Sequence, residues 1–270
     1  MQFKFNTKMK KYFKYILIPI LFFGCEEDET GTENNDIVIC EKNSLESGLV
    51  AEYLFESNVV DSSENGLDGE IIGTLNFVSD RKGEDLSALE FSGTGNNYVK
   101  VNDNGLLDFD YSQLEPQSIS VWLYLTKNTD PAHIVLHKGE ETSTETNYLF
   151  GLTGDNLITW GHQSSSSEDN CGWWSAMTSR PDINEWNHFV VTILPINAEK
   201  GIKKIYLNGT LINSCVYVEE QNPTNDYPLY IGLSANFSGT TKHNFDGIID
   251  DLRIYDRELI QDEVTQLFEE

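Results

Sequence analysis

Residues 203–212 read KKIYLNGTLI. Asn208 and Gly209 stand between two apolar arms, and a two-residue Asn-Gly loop flanked in this way is a strong signal for a β-hairpin. Both residue types tolerate the left-handed backbone that such a turn requires. The stretch predicts two antiparallel strands, and the same pattern recurs on both sides of it.

From about Val38 onward, short alternating or apolar runs follow one another: 48–55 (GLVAEYLF), 88–93 (ALEFSG), 98–101 (YVKV), 118–125 (SISVWLYL), 133–139 (HIVLHKG), 147–153 (NYLFGLT), 157–162 (LITWGH), 188–194 (HFVVTIL), 229–234 (LYIGLS) and 247–255 (GIIDDLRIY). Gly, Asn, Asp and Ser fill the gaps. Many short strands at such spacing make an all-β sandwich, not strands alternating with helices. Only residues 259–268 have helical spacing, with Leu259, Val264 and Leu267 or Phe268 as an apolar stripe. About 225 residues then form one large sandwich, within single-domain size for all-β folds.

The N-terminus is of another kind. Lys4, Lys8, Lys10, Lys11 and Lys14 precede the apolar run 15–24 (YILIPILFFG). That run is too short to span a bilayer and suits the apolar core of a signal peptide, assigned to residues 1–24. Residues 26–36 (EEDETGTENND) lack bulky apolar side chains and are expected to be a disordered tether, within a linker taken as 25–44. The domain then occupies residues 45–270. Without residues 1–24, 13 basic residues face 44 acidic ones, a net charge of −31. Such a charge repels phosphates, so nucleic acid is not an expected partner. Anionic membrane surfaces are disfavoured too, which leaves attachment to a lipid.

Phe22-Phe23-Gly24-Cys25 resembles a bacterial lipobox, and the acidic run after it looks like the export signal of Bacteroidetes-type surface lipoproteins. The resemblance makes Cys25 the lipidated residue of an outer-membrane protein exposed at the cell surface. Cys40, Cys171 and Cys215 remain in an oxidising compartment. Cys40 lies beside the tether, so Cys171 is paired with Cys215, although sequence leaves the connectivity open.

Six motifs in order carry a second resemblance: 48–71 (GLVAEYLFESNVVDSSENGLDGEI), 88–101 (ALEFSGTGNNYVKV), 118–125, 185–193 (EWNHFVVTI), 205–212 (IYLNGTLI) and 245–259 (FDGIIDDLRIYDREL). Together they resemble the laminin-G-like jelly roll of the concanavalin A-like lectin and glucanase superfamily. The resemblance implies a two-sheet antiparallel jelly-roll sandwich with a short C-terminal helix. It says less about function, because lectins, adhesion modules, glycosidases and lyases share the fold. Glu64 stands where the family often has glycine, so the loop at 61–66 is expected to differ in shape. Ile260 stands where a serine N-cap is common, so the helix is expected to fray.

The resemblance also implies a structural Ca²⁺ held by Asp61, Asn65 and Asp68 from the loop after the first strand and by Asp250 from the last strand. Alternation supports Asp250, since Leu252 and Ile254 facing the core would put it on the same inward face, where a carboxylate needs a partner. Oxygen ligands suit this cation.

Nothing points to catalysis. The paired-glutamate strand of retaining glucanases has its nearest match at residues 26–29, in the tether, and the strand motifs of jelly-roll alginate lyases are missing. There is no G-x-S-x-G elbow and no H-E-x-x-H motif. His188, in Trp186-Asn187-His188, reads as structural.

Glycan binding needs flat rings to stack on sugars and polar groups to orient hydroxyls. Residues 157–177 hold Trp160, His162, Trp173 and Trp174 around a serine run, the densest aromatic cluster in the chain. If residues 173–178 are a strand, Trp173 shares a face with Met177 and Trp174 shares one with Thr178, so Trp173 goes inward and Trp174 outward. Trp122 and Trp186 read as packing. The sequence thus leads to a surface lipoprotein that binds a carbohydrate, most simply a polysaccharide, through Trp160, His162 and Trp174 without cutting it. A protein-binding adhesion module and a polysaccharide-degrading enzyme are the alternatives.

Overall fold

In the computed structural model Asn208 and Gly209 both have positive φ, 49° and 75°, and turn the chain between two paired strands as the sequence predicts. The structure describes residues 45–94, 96–110, 113–126, 133–139, 146–153, 158–162, 164–165, 175–176, 180–219, 224–233 and 244–270. They lie in a compact unit spanning Asn43–Glu270.

The first strands are β1 (Leu49–Tyr53), β2 (Gly69–Ile72), β3 (Asn76–Val78), β4 (Ala88–Ser92), β5 (Tyr98–Val101), β6 (Gln117–Tyr124), β7 (His133–Gly139) and β8 (Thr146–Leu152). After them come β9 (Ile158–His162), β10 (Ser164–Ser165), β11 (Ser175–Ala176), β12 (Trp186–Asn197), β13 (Lys200–Leu207), β14 (Thr210–Glu219), β15 (Leu229–Ile231) and β16 (Asp246–Tyr255), and then helix α1 (Gln261–Glu269). A nine-stranded sheet runs β10-β14-β13-β12-β6-β16-β4-β3, with β1 also paired to β16. A seven-stranded sheet runs β11-β9-β8-β7-β15-β5-β2. The chain is the two-sheet antiparallel jelly-roll sandwich that the motif order implied.

Side-chain alternation decides what each sheet buries. Val99, Val101, Leu136, Phe150 and Ile231 of the seven-stranded sheet meet Ile119, Val121, Phe189, Val191 and Leu252 of the nine-stranded one in a single core. Each large apolar side chain withdrawn from water there stabilises the fold by about 1.5–3 kcal/mol. A second, smaller cluster lies on the outer face of the nine-stranded sheet, where Val190, Tyr206 and Tyr255 meet Leu259, Val264 and Leu267. The apolar stripe read from residues 259–268 is the stripe that docks α1, and Phe268 completes it by stacking on Trp122 at 5.7 Å and 16°.

The structure shows what stands at the two departures from the family pattern. Ile260 provides no side-chain cap, yet Glu263 Oε2 accepts its N–H at 2.9 Å and is itself held by Arg257 Nη1 at 2.7 Å. One half of a capping box therefore anchors the helix start. In the 61–66 loop the positive φ falls on Gly66, at 65°, and not on Glu64, so the missing glycine costs no backbone strain. Among the described residues no helix is long and apolar enough to cross a membrane.

Candidate functional site

The carboxylates expected to share a calcium ion are engaged separately. Asp61, 6% exposed, accepts the Glu52 and Ser63 N–H groups on Oδ1, each at 2.9 Å. Its Oδ2 accepts Ser63 Oγ at 2.8 Å and the Leu67 N–H at 2.9 Å. Asp68 Oδ1 accepts the Asp61 N–H, and Asn65 Nδ2 donates to Val50 O. These contacts close the loop onto β1 with protein donors alone.

Asp250 does not face the core. A bulge between Asp250 and Arg253, with Asp251 at φ 42°, shifts the phase of β16. Ile249, Leu252 and Ile254 all point inward, while Asp250 falls on the outer face opposite Trp122. There Arg81 Nη1 reaches Asp250 Oδ2 at 2.7 Å and Asp251 Oδ2 at 2.6 Å, with its guanidinium 4.8 Å from the Trp122 ring. Burial and the neighbouring Asp251 push the Asp250 carboxyl up to about 7, against the pull of Arg81. The expected ligand set of Asp61, Asn65, Asp68 and Asp250 is thus not brought together, and no metal-holding group of three His, Cys, Asp or Glu occurs among the described residues. The physical reason is the bulge, which hands Asp250 to a cation of the chain itself.

The aromatic residues need a correction too. Trp160 is 1% exposed and stacks on Tyr148 at 5.2 Å and 13° within the core, so it cannot present a ring to a ligand. Its register partner Phe150 points the same way. His162 pairs through its backbone with Tyr148, but its side chain lies outside what is described. Trp174, Cys171 and Cys25 also lie outside the described residues. Cys215 belongs to the core cluster. Trp122 and Trp186 pack as read, Trp186 against Tyr124.

His188 is structural, as its motif suggested. It is 1% exposed, bonds Ser120 Oγ through Nε2 at 2.8 Å and lies 4.9 Å from the Trp122 ring. Burial, aided by the charges of Arg81 and Arg253, lowers its pKa to about 3. A base whose pKa is depressed on folding contributes stability above its unfolded value and loses it as pH falls through the folded one. Resistance to urea is expected to fall from about pH 6.5 towards 4, with His188 supplying about 1.4 kcal/mol for each unit. His188→Gln should show a shallower decline in the same titration.

The outer face of the seven-stranded sheet carries what the sequence did not reveal. In register across five strands stand Glu70 and Lys100, Lys100 and Tyr230, Tyr230 and His137, then His137 and Leu149. Their strand neighbours Val99, Val101, Leu136 and Ile231 are in the core, so this row faces away from it. Glu70 is exposed and Lys100 half-buried, whereas Tyr230 is 8% and His137 3% exposed. Tyr98, one row along, meets Tyr230 edge to face at 5.7 Å and 64°. The Lys100 ammonium has no ion pair or hydrogen bond among the described residues. His137 bonds Thr146 Oγ1 at 3.0 Å, and burial lowers its pKa to about 4, so it is neutral at pH 7. Lys100, unpaired among the described residues, the Glu70 carboxylate and the half-buried Tyr98 ring on one sheet face can orient hydroxyls and cover an apolar sugar face, whereas Tyr230 and His137 are buried. No single motif announces this row, since its members lie on β2, β5, β15, β7 and β8.

A family model described as the concanavalin A-like lectin/glucanases superfamily matches residues 92–265. Among solved structures, domain 4 of AbnA, a GH43 extracellular arabinanase from Geobacillus stearothermophilus in complex with arabinotriose, is similar at TM-score 0.57 and 20% identity, over 82% of this chain and 98% of that one. The binding domain of Paraclostridial Mosquitocidal Protein 1 is similar at TM-score 0.58 and 18% identity, over 83% of this chain and 52% of that one. The binding domain of botulinum neurotoxin DC in complex with rat synaptotagmin II has TM-score 0.57 and 16% identity, over 84% and 52%. The chain therefore spans about half the length of these toxin domains. At such identities the likeness is one of fold. A comparison with curated proteins finds no match.

Proposed function

Because the chain belongs to the concanavalin A-like lectin/glucanases superfamily, we propose that it is a surface lipoprotein whose jelly roll binds a polysaccharide without cleaving it. The observation that carries this reading is the pairing of Glu70 with Lys100 on the outer sheet face, with the half-buried Tyr98 beside them on Tyr230. Trp174, which the sequence pattern assigns to the outward face, is proposed as a further binding residue. The arabinanase domain solved with arabinotriose supports a sugar as ligand.

Glu70 is the single carboxylate in the row, whereas glycoside hydrolysis ordinarily takes two. Attachment is through the lipid on Cys25, at the outer membrane and facing the exterior, with the acidic tether giving reach. Cys171 is the partner proposed for Cys215 in a disulfide. A protein partner is the second reading. Val216 and Val218, 49% and 41% exposed on β14, favour it, as does the toxin domain solved with synaptotagmin II.

A glycan array probed with the soluble chain from Glu26 onward tests the proposal. Lys100→Ala and Trp174→Ala are each expected to weaken binding by about tenfold or more while leaving the unfolding midpoint in place. Binding that survives both changes moves the site elsewhere on the sandwich, and no binding to any glycan moves the assignment to a protein partner.

A further inference from the structure

Lys138, on β7, is wholly buried. Its Nζ lies 2.9 Å from Asn225 O, 3.0 Å from Asn225 Oδ1, 2.9 Å from Asp108 Oδ1 and 3.5 Å from Asp103 Oδ1. An ammonium has three protons to donate. The three nearer oxygens take them, which accounts for Asp103 Oδ1, buried and facing the same nitrogen, having no hydrogen bond among the described residues. The cage holds more oxygens than its cation can serve, and two carboxylates against one positive charge.

These oxygens are positioned without help from the lysine. Asp103 Oδ2 accepts the Gly105 N–H at 3.0 Å, Asp108 Oδ1 accepts the Asn225 N–H at 3.3 Å, and Asn225 Oδ1 accepts the Tyr227 N–H at 3.1 Å. Asp103 and Asp108 come from the connection between β5 and β6, and Asn225 from that between β14 and β15. Carboxylate, amide and backbone carbonyl oxygens held together in a buried place with excess negative charge are the donor set of a hard cation.

We propose that this is a cation site whose ion is supplied by the chain: Lys138 Nζ occupies the place of a calcium-class hard cation and joins two connections at one end of the sandwich. The inference is independent of the carbohydrate reading. It follows that shortening the side chain opens a site that calcium can fill. The three nearer oxygens need to close in by about half an ångström and Asp103 Oδ1, at 3.5 Å, by about 1 Å to reach the ~2.3–2.6 Å of calcium, with water completing the shell.

The test compares the full chain with Lys138→Ser, which leaves room for an ion, and Lys138→Met, which fills the stem and excludes one. Thermal unfolding in millimolar calcium and in EDTA is read beside a calorimetric titration with calcium chloride. Lys138→Ser is expected to show one calcium site beyond any in the parent, with a dissociation constant of about 10⁻⁴–10⁻³ M. Its midpoint should rise by several degrees more in calcium than the parent's, and Lys138→Met should gain nothing. If Lys138→Ser unfolds in EDTA, refolding from urea only when calcium is present supports the proposal equally. A Lys138→Ser chain that refolds in neither buffer, or that responds to calcium no more than Lys138→Met, overturns it.

Discussion

Exchanging Arg81 for methionine is expected to destabilise the fold by about 3–5 kcal/mol, the range for removing one partner of a buried ion pair. The side chain is 8% exposed, and one nitrogen, Nη1, serves both Asp250 and Asp251. Methionine keeps part of the contact with Trp122 and leaves two adjacent carboxylates with no cation. The deficit is pH-dependent, with a definite sign. Asp250 has a folded pKa of about 7, above its unfolded value of 3.8, so its contribution to stability is fully present below the unfolded value and lost as pH rises through the folded one. Without Arg81 that folded value climbs further, so the deficit in urea unfolding should be larger at about pH 8 than at about pH 5. Adding Asp250→Asn to Arg81→Met should recover part of the loss at the higher pH and little at the lower. Equal deficits at both would mean that the carboxylates are not its source.

Trp160→Ala is expected to cost about 3–5 kcal/mol as well, for a different reason. The ring lies on Tyr148 in the middle of the core, and its removal leaves a cavity that neighbouring strands, fixed by their ladders, cannot close. The indole N–H is buried with no hydrogen-bond partner among the described residues, so Trp160→Phe forfeits volume but no described polar contact and should cost much less. Any glycan affinity should be unchanged in Trp160→Phe once the folded fraction is taken into account. A large loss of affinity in a folded Trp160→Phe chain would return this residue to the ligand-binding face.

These two residues show where sequence reading succeeds and where it stops. The Asn208-Gly209 turn, the alternating runs and the stripe of Leu259, Val264 and Leu267 are local patterns, and each became the element it indicated. Trp160 was singled out because aromatic residues are dense around it, but density gives no direction. The ring's direction follows from the alternation along β9, where Ile158 and Trp160 face the core and Thr159 does not. For Asp250, alternation was the correct rule applied through a bulge that breaks it, and no residue type at 250–253 announces a bulge. Its partner Arg81 lies 169 residues earlier in the chain, so a search for cations near Asp250 in sequence could not find it. The row from Glu70 to Leu149 was out of reach for the same reason, because it exists only in the register of five strands.

Strand β1 is the first strand described, and β16, its partner, is the last. Leu49 lies opposite Tyr255, and Arg253 reaches Glu52 across 201 residues of chain. Contacts between such distant residues form slowly, because the entropy of closing the loop must be overcome before the contact gives any stabilisation. A growing chain has Tyr53 made long before Leu252 exists to pair with it. Until β16 has been synthesised the nine-stranded sheet cannot be completed, so a chain that stops before Leu252 lacks the strand on which β1 depends.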